Sequence, residues 1–402
     1  MPAGEHCADR LVEGGLRVAI VERELLGGEC SYWACIPSKT LLRPGEAVHA
    51  ALDTPGAAQA VTGALDAAAA FEWRDFMVSD HSDAGQAAWA ESAGIDLIRG
   101  EGRLDGPGRV VVGERVLSAQ HVVVSTGSAP FVPPVPGLRE LPGVWTNRET
   151  TAMTEVPRRL LVLGAGPVGV EIAQAVVRMG GSVAVVEGMD HVLPREPRAL
   201  GDALGKALAR DGVELCFGQH ASAARLEDGE YVLEFSEREP LRGDRLLVAT
   251  GRRPRVAGIG LESVGVEPGR NGIEVDARMG FGENLWAIGD VAGIWPLTYV
   301  GKYQGRIAAA NILGEPREAD YSAVPRVVFT DPQAAAVGQA EDEQSATVNL
   351  ADVPRTATVT ATTPVRALVI RDREFRTLLE RTPQIALKVL QAVAERLPAA
   401  GP

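Results

Sequence analysis

Lysine is nearly missing from this chain of 402 residues. Of 40 basic side chains, only Lys39, Lys206, Lys302 and Lys388 are lysines, which makes Lys39 in a glycine- and cysteine-rich stretch notable. No basic run offsets the formal net charge of −13, which argues against a nucleic-acid partner. No segment reaches the ~20 apolar residues that a membrane span needs. No basic-then-apolar leader opens the chain, so a cytoplasmic protein with no membrane partner is expected. Cysteine is scarce, at four residues. In a reducing compartment a close cysteine pair is more often catalytic than structural. No second Cys/His cluster follows that pair, so no metal centre is expected. The six histidines end at His220.

What is present fits an α/β enzyme: 45 Gly, 26 Pro and 46% hydrophobic residues, in a length that holds two or three domains. The most informative stretch is residues 27–39. Cys30 and Cys35 bracket four residues there. The spacing fits one helical turn, with both sulfurs on one face and within bridging reach. An apolar strand over residues 16–21 precedes the pair and ends in Glu22. Aligned N–H groups at a helix start favour thiolate character. A redox-active disulfide is the expected role. The alternatives are half of a metal site or two unrelated buried cysteines.

Residues 158–187 carry a complete dinucleotide fingerprint. A buried strand over 160–163 leads into Gly164, Gly166 and Gly169, then a helix over 170–179, a strand over 182–186, and Glu187. The glycines permit close backbone approach to a diphosphate, and the acid suits a free ribose 2′-hydroxyl, so NAD is preferred over NADP. Arg195 and Arg198 stand close enough to hold a 2′-phosphate instead. Residues 2–22 read as the last part of a second such unit: Gly4, a helix over 5–14, a strand and Glu22. Its first strand and first two glycines are not in the sequence. Met1 is therefore read as a misplaced start or a truncation, with about ten to fifteen upstream codons expected to encode an apolar strand and Gly-x-Gly.

The run Gly27-Gly28, Cys30, four residues, Cys35, Ile36, Pro37-Ser38-Lys39 resembles the redox-active segment of the pyridine nucleotide-disulfide oxidoreductases. That group includes dihydrolipoamide dehydrogenase, mercuric reductase and glutathione reductase. The interior Ser31-Tyr32-Trp33-Ala34 departs from the Asn-Val-Gly interior common in dihydrolipoamide dehydrogenases, and this bears on the substrate. Three further segments fall in the family's order: Thr126-Gly127-Ser128, Thr250-Gly251-Arg252-Arg253-Pro254, and residues 284–292 with Gly289 and Asp290.

The resemblance implies an α/β fold with two Rossmann-like dinucleotide-binding domains, for FAD and NAD(P), and an incomplete, atypical C-terminal α+β segment. The implied boundaries are 1–150 and 273–320 for the FAD domain, 151–272 for the NAD(P) domain, 321–353 for a partial dimerisation domain, and 354–402 for the remainder. FAD would lie on Gly4, Glu22, Gly28, Lys39, Thr126, Gly127, Gly289 and Asp290. NAD(P)H would lie on Gly164, Gly166, Gly169, Glu187 and Gly251. Glu171 would pair with Lys39, the alternative being a solvated carboxylate on a helix face. Electrons would pass from NAD(P)H through FAD to Cys30–Cys35, with Cys35 nearest the flavin and Cys30 exchanging with a small-molecule or protein disulfide. A homodimer is expected for the family.

The family's C-terminal His-Pro segment has no counterpart, since no histidine follows His220. Residues 354–397 instead resemble the close of a cyclic-nucleotide-binding domain, with Arg355 at its phosphate cassette and a helix over 373–397. Three other readings therefore accompany the main one: a quinone or diaphorase-type reductase that bypasses the disulfide, an inactive remnant, and a cyclic-nucleotide-responsive binding protein.

Overall fold

A computed structural model describes residues 2–337. The partial dimerisation segment beyond residue 337, the cyclic-nucleotide-like segment, Arg355 and the helix over 373–397 lie outside the described residues.

Helix α1 (Pro2–Glu13) opens the structure, with Pro2 tolerated because the first helical N–H groups lack partners in any case. Its buried face, Ala3, Cys7, Ala8 and Leu11, recurs at helical spacing. Strand β1 (Val18–Glu22) follows. The cysteine stretch then forms two helices, α2 (Gly28–Tyr32) and α3 (Cys35–Leu52). The expected single turn carrying both cysteines is thus broken at Trp33 and Ala34: Cys30 sits inside one helix and Cys35 opens the next. Helices α4 (Ala67–Met77) and α5 (Ala84–Ser92) complete the helical region.

Strand β2 (Ile95–Arg99) pairs in parallel with β1, Val18 opposite Ile95 through Glu22 opposite Arg99. Strands β3 (Gly102–Leu104), β4 (Arg109–Val112) and β5 (Arg115–Ser118) form an antiparallel sheet. Strand β6 (Val122–Val124) leads to β7 (Ser128–Pro130), and a short helix α6 (Asn147–Thr151) is closed by a capping box between Thr146 and Glu149.

The fingerprint region builds a four-stranded parallel sheet. Strand β8 (Arg159–Leu163) feeds α7 (Pro167–Arg178), then β9 (Ser182–Glu187), α8 (Arg198–Arg210) and β10 (Glu214–Phe217). A meander of β11 (Ala223–Glu227), β12 (Glu230–Glu234) and β13 (Leu241–Gly243) precedes β14 (Arg245–Val248). The sheet order is β10-β9-β8-β14. Leu160, Leu161 and Val162 are fully buried between helices and meander, as continuous apolar runs in parallel strands are. Each such side chain contributes about 1.5–3 kcal/mol of burial.

The chain then returns to the first half. Strand β15 (Arg252–Pro254) pairs antiparallel with β7, which joins the two Thr-Gly segments directly. Strands β16 (Gly280–Gly282) and β17 (Leu285–Ala287) follow, and β17 runs parallel to β6. Helix α9 (Thr298–Ile312) packs along α1, and hairpin β18 (Pro325–Val328) and β19 (Ala334–Val337) closes the described chain. Among the described residues, β1 ladders only with β2 and β6 only with β17. Val18 to Glu22 and Val122 to Val124 line one cavity of about 1540 Å³.

Candidate active site

Gly27 takes φ 110°, a left-handed value that a side chain would strain, and turns the chain into α2. The thiols of Cys30 and Cys35 are free, with sulfurs 2.6 Å apart. Cys35 is the first residue of α3, where helical N–H groups lack intrahelical partners. Its sulfur lies 3.4 Å from the hydroxyl of Thr298, itself the first residue of α9. Two helix N-termini thus converge on one sulfur. Cys30 donates its S–H to Cys35, and this bond lowers the Cys35 pKa; burial opposes it, while Thr298 and the Lys39 charge assist. The same bond, with burial, raises the Cys30 pKa. Cys35 is therefore the sulfur favoured to ionise, and Cys30 the one favoured to keep its proton.

Lys39, one turn along α3, donates from Nζ to Glu171 Oε2 at 2.6 Å and stands 4.9 Å from the Phe329 ring centre. Glu171 is 5% exposed on α7, and its Oε1 accepts from the Phe329 N–H at 2.9 Å. It is therefore a buried joint between the two dinucleotide units and the hairpin, which excludes the solvated-carboxylate alternative.

Of the residues expected to hold FAD, Gly4, Glu22, Gly28 and Thr126 line the large cavity, while Lys39, Gly127, Gly289 and Asp290 do not. Glu22 closes β1 and accepts from the Glu24 N–H at 2.9 Å. Thr126 donates to the Arg255 carbonyl at 2.7 Å. Gly289 donates its N–H to Gln304 at 2.7 Å, and Asp290 Oδ2 accepts from the Ser128 hydroxyl at 2.5 Å. Two observations fit a flavin dinucleotide: four of the expected residues line one cavity, and Glu5, on the same wall, has a buried oxygen without a hydrogen-bond partner among the described residues.

The turn between β8 and α7 closes tightly on its glycines. A Cβ on Gly169 would lie 2.0 Å from the Gly164 carbonyl, so the turn accepts only glycine there. Gly166 caps α7, Pro167 opens it, and Gly251 closes the adjoining strand end at φ 116°. Glu187 reaches back to the turn, its Oε2 accepting from the Ala165 N–H at 2.8 Å. Arg198 is ion-paired with Asp190 and Asp202.

Sequence reasoning did not single out Glu29, Thr298, Arg148 or Arg252. Glu29 is buried against the guanidinium groups of Arg148 at 2.7 Å, Arg255 at 3.2 Å and Arg252 at 3.4 Å, with Asn147 donating at 2.9 Å. Burial disfavours its charge, but Asn147 and the arginines outweigh burial and hold its pKa below the usual carboxylate value. Arg252 continues the network to Ser128 at 2.7 Å, and so to Asp290. Trp33 is sandwiched between His81, at 4.1 Å between ring centres, and Arg148, at 4.9 Å. The only sequence signal was the departure of the stretch between the cysteines from the usual interior.

Comparisons with known proteins identify the family. Residues 2–305 match the family model described as pyridine nucleotide-disulphide oxidoreductase. The chain is 36% identical over 371 residues to mercuric reductase of Acidithiobacillus ferrooxidans, covering 88% of this chain and 67% of that protein. It is 35% identical over 350 residues to dihydrolipoyl dehydrogenase of Thermus scotoductus, covering 85% and 75%. Among solved structures it resembles the HOCl-induced flavoprotein disulfide reductase RclA of Escherichia coli, with TM-score 0.77, 28% identity, and 88% and 81% of the two chains covered. The chain belongs to the pyridine nucleotide-disulphide oxidoreductase family, and is an FAD-dependent oxidoreductase that uses NAD(P)H and acts on a sulfur group.

Proposed function

We propose that this protein passes electrons from NADH to a small-molecule or protein disulfide through Cys30 and Cys35, as a cytoplasmic homodimer. The observation that carries the reading is the asymmetric thiol pair, with Cys35 held between two helix N-termini and Lys39 nearby. When bound, FAD supplies the two-electron link between the nicotinamide and the cysteine pair. Gly4, Glu22, Gly28, Lys39, Thr126, Gly127, Gly289 and Asp290 would hold it. Gly164, Gly166, Gly169, Glu187 and Gly251 would hold the nicotinamide coenzyme. An acid at Glu187 and an Arg198 engaged with Asp190 favour NADH over NADPH.

The exchange step balances on the chain's own residues. Cys30 transfers its proton toward Cys35 and attacks a substrate sulfur, which releases one substrate thiol. Cys35 then attacks Cys30 in the mixed disulfide. The second substrate thiol leaves, and the Cys30–Cys35 bond forms. The proton passed to Cys35 leaves with the first product, and the second product leaves as a thiolate that takes its proton from water.

The test is an absorption spectrum of the purified protein before and after NADH. A flavin band that bleaches, a long-wavelength shoulder absent in Cys35→Ser, and two new titratable thiols per chain are expected. A bleached flavin with no new thiols would remove the disulfide from the path.

A further inference from the structure

We propose that Arg255, turned by Glu29, forms an anion subsite on the cavity wall for the diphosphate of the flavin dinucleotide; this rests on the flavoenzyme reading above. Glu29 precedes Cys30 and lines the cavity, as do Arg148, Arg253 and Arg255. A carboxylate at that wall would by itself repel a diphosphate. Its surroundings reverse the sign: Arg148, Arg252 and Arg255 converge on Glu29 and Glu24, three cations against two anions.

The three guanidinium groups are not equivalent. Arg148 is committed to Glu24 through both terminal nitrogens and to Glu29 through two of its nitrogens. Arg252 is committed to Ser128, Asn147 and Glu29. Arg255 gives Glu29 one N–H at 3.2 Å and has no other side-chain partner among the described residues. Its backbone is pinned by its N–H donating to the Gly127 carbonyl at 2.8 Å and by its carbonyl accepting from Thr126 at 2.7 Å. The remaining donors of Arg255 are therefore the ones left for an anion, with an orientation set at both ends. Arg253 adds charge on the same wall, its guanidinium 4.0 Å from the Phe131 ring centre. Trp33, stacked on His81, gives the Arg148 guanidinium an aromatic contact at 4.9 Å.

Glu22 lines the same cavity, its carboxylate accepting from the Glu24 N–H, and is suited to ribose hydroxyls rather than phosphates. Glu29 is a positioning residue and Arg255 a binding one.

The test compares FAD with riboflavin, which has the same ring and no phosphate, on the wild-type protein, Arg255→Gln, Arg255→Lys, Glu29→Gln and the double glutamine variant. Arg255→Gln should weaken FAD about tenfold or more, the effect of one charge-assisted contact, and flatten its salt dependence. Riboflavin should change less than about twofold, because no phosphate contact is lost. Arg255→Lys should recover part of the FAD affinity. Glu29→Gln should cost less than Arg255→Gln, and the double variant should be no worse than Arg255→Gln, since one residue acts through the other. FAD binding unchanged in Arg255→Gln overturns the subsite alone. Parallel losses for FAD and riboflavin overturn it too, because they mark a folding defect. A wild-type protein that takes up no FAD overturns the flavoenzyme reading, and the subsite with it.

Discussion

Lys39 and Glu171 contribute unequally to the joint they form. The Lys39 side chain is 35% exposed and that of Glu171 6%. Lys39→Met would leave a buried carboxylate with the Phe329 N–H as its remaining partner, at a cost of about 2–3 kcal/mol once partial exposure is discounted. Glu171→Gln would leave a lysine that can reach water and an amide that still accepts from Phe329, at a cost of about 1 kcal/mol. Urea unfolding of both variants tests this; equal losses would mean the pair is solvated. A second outcome concerns the thiols. With Cys35 lowered from the ordinary value of 9.0, the reduced protein should show a first step of ultraviolet thiolate absorbance below that value, present above the step and lost as pH falls through it. Cys35→Ser should abolish that step, and a single step at the ordinary value would contradict the asymmetry. Lys39, Glu171 and both cysteines were legible because each stands in a fixed local spacing. Thr298 and Glu29 were not. Their partners lie 263 residues away for Thr298 and 118 to 226 away for Glu29, and no local pattern encodes such pairings.

Helices and strands were legible wherever one periodicity dominated. Strands β8 and β9 and helix α7 follow from apolar runs and glycine spacing, and their ends fall within a few residues of expectation. The break between α2 and α3 was hidden behind the spacing of the cysteines, although Pro37, a residue best tolerated in a first helical turn, stands in the first turn of α3. The interruption comes from tertiary contacts, with Asn147 and Thr151 bonding the Trp33 carbonyl. Helix α9 packs along α1. That packing gives a contrast between two helical glycines. On α9, a Cβ at Gly305 would lie 2.7 Å from the Ala3 carbonyl, a backbone atom with no freedom to yield. Alanine gains about 1 kcal/mol of helix propensity, but overpacking against backbone costs about 1–3 kcal/mol, so Gly305→Ala should lower stability on balance. In α5, a Cβ at Gly85 would meet nothing within 4 Å. Gly85→Ala should therefore stabilise by about 0.5 kcal/mol. Thermal melts of the two proteins should move in opposite directions, and a shared direction would show that propensity alone decides both.

At the scale of the whole molecule, the two nucleotide units differ in how much of their backbone is internally paired. In the second unit, β8 is laddered on both sides, between β9 and β14, and is buried from Leu160 onward. In the first, β1 and β6 each present an edge to the cavity without a ladder partner among the described residues. Strand edges bordering open space exchange their amides readily, because local opening breaks few buried contacts. The walls of that cavity come from α1, β1, β6 and residues 253–255, segments far apart in sequence. A dinucleotide seated there ties them together and adds stability by mass action, about 2.7 kcal/mol at a hundredfold excess over its dissociation constant. Stripping FAD should therefore act regionally. Hydrogen exchange should accelerate over 18–22 and 122–124 and across the start of α1. Residues 159–163 and 182–187 should keep their protection until global unfolding. NADH added to the stripped protein should slow exchange near Gly164 to Gly169 and leave 18–22 unchanged. Uniform acceleration across both sheets would mean that the two units unfold as one and that the cavity edges carry no separate instability. Unchanged exchange at 18–22 on FAD removal would place the flavin elsewhere in the fold.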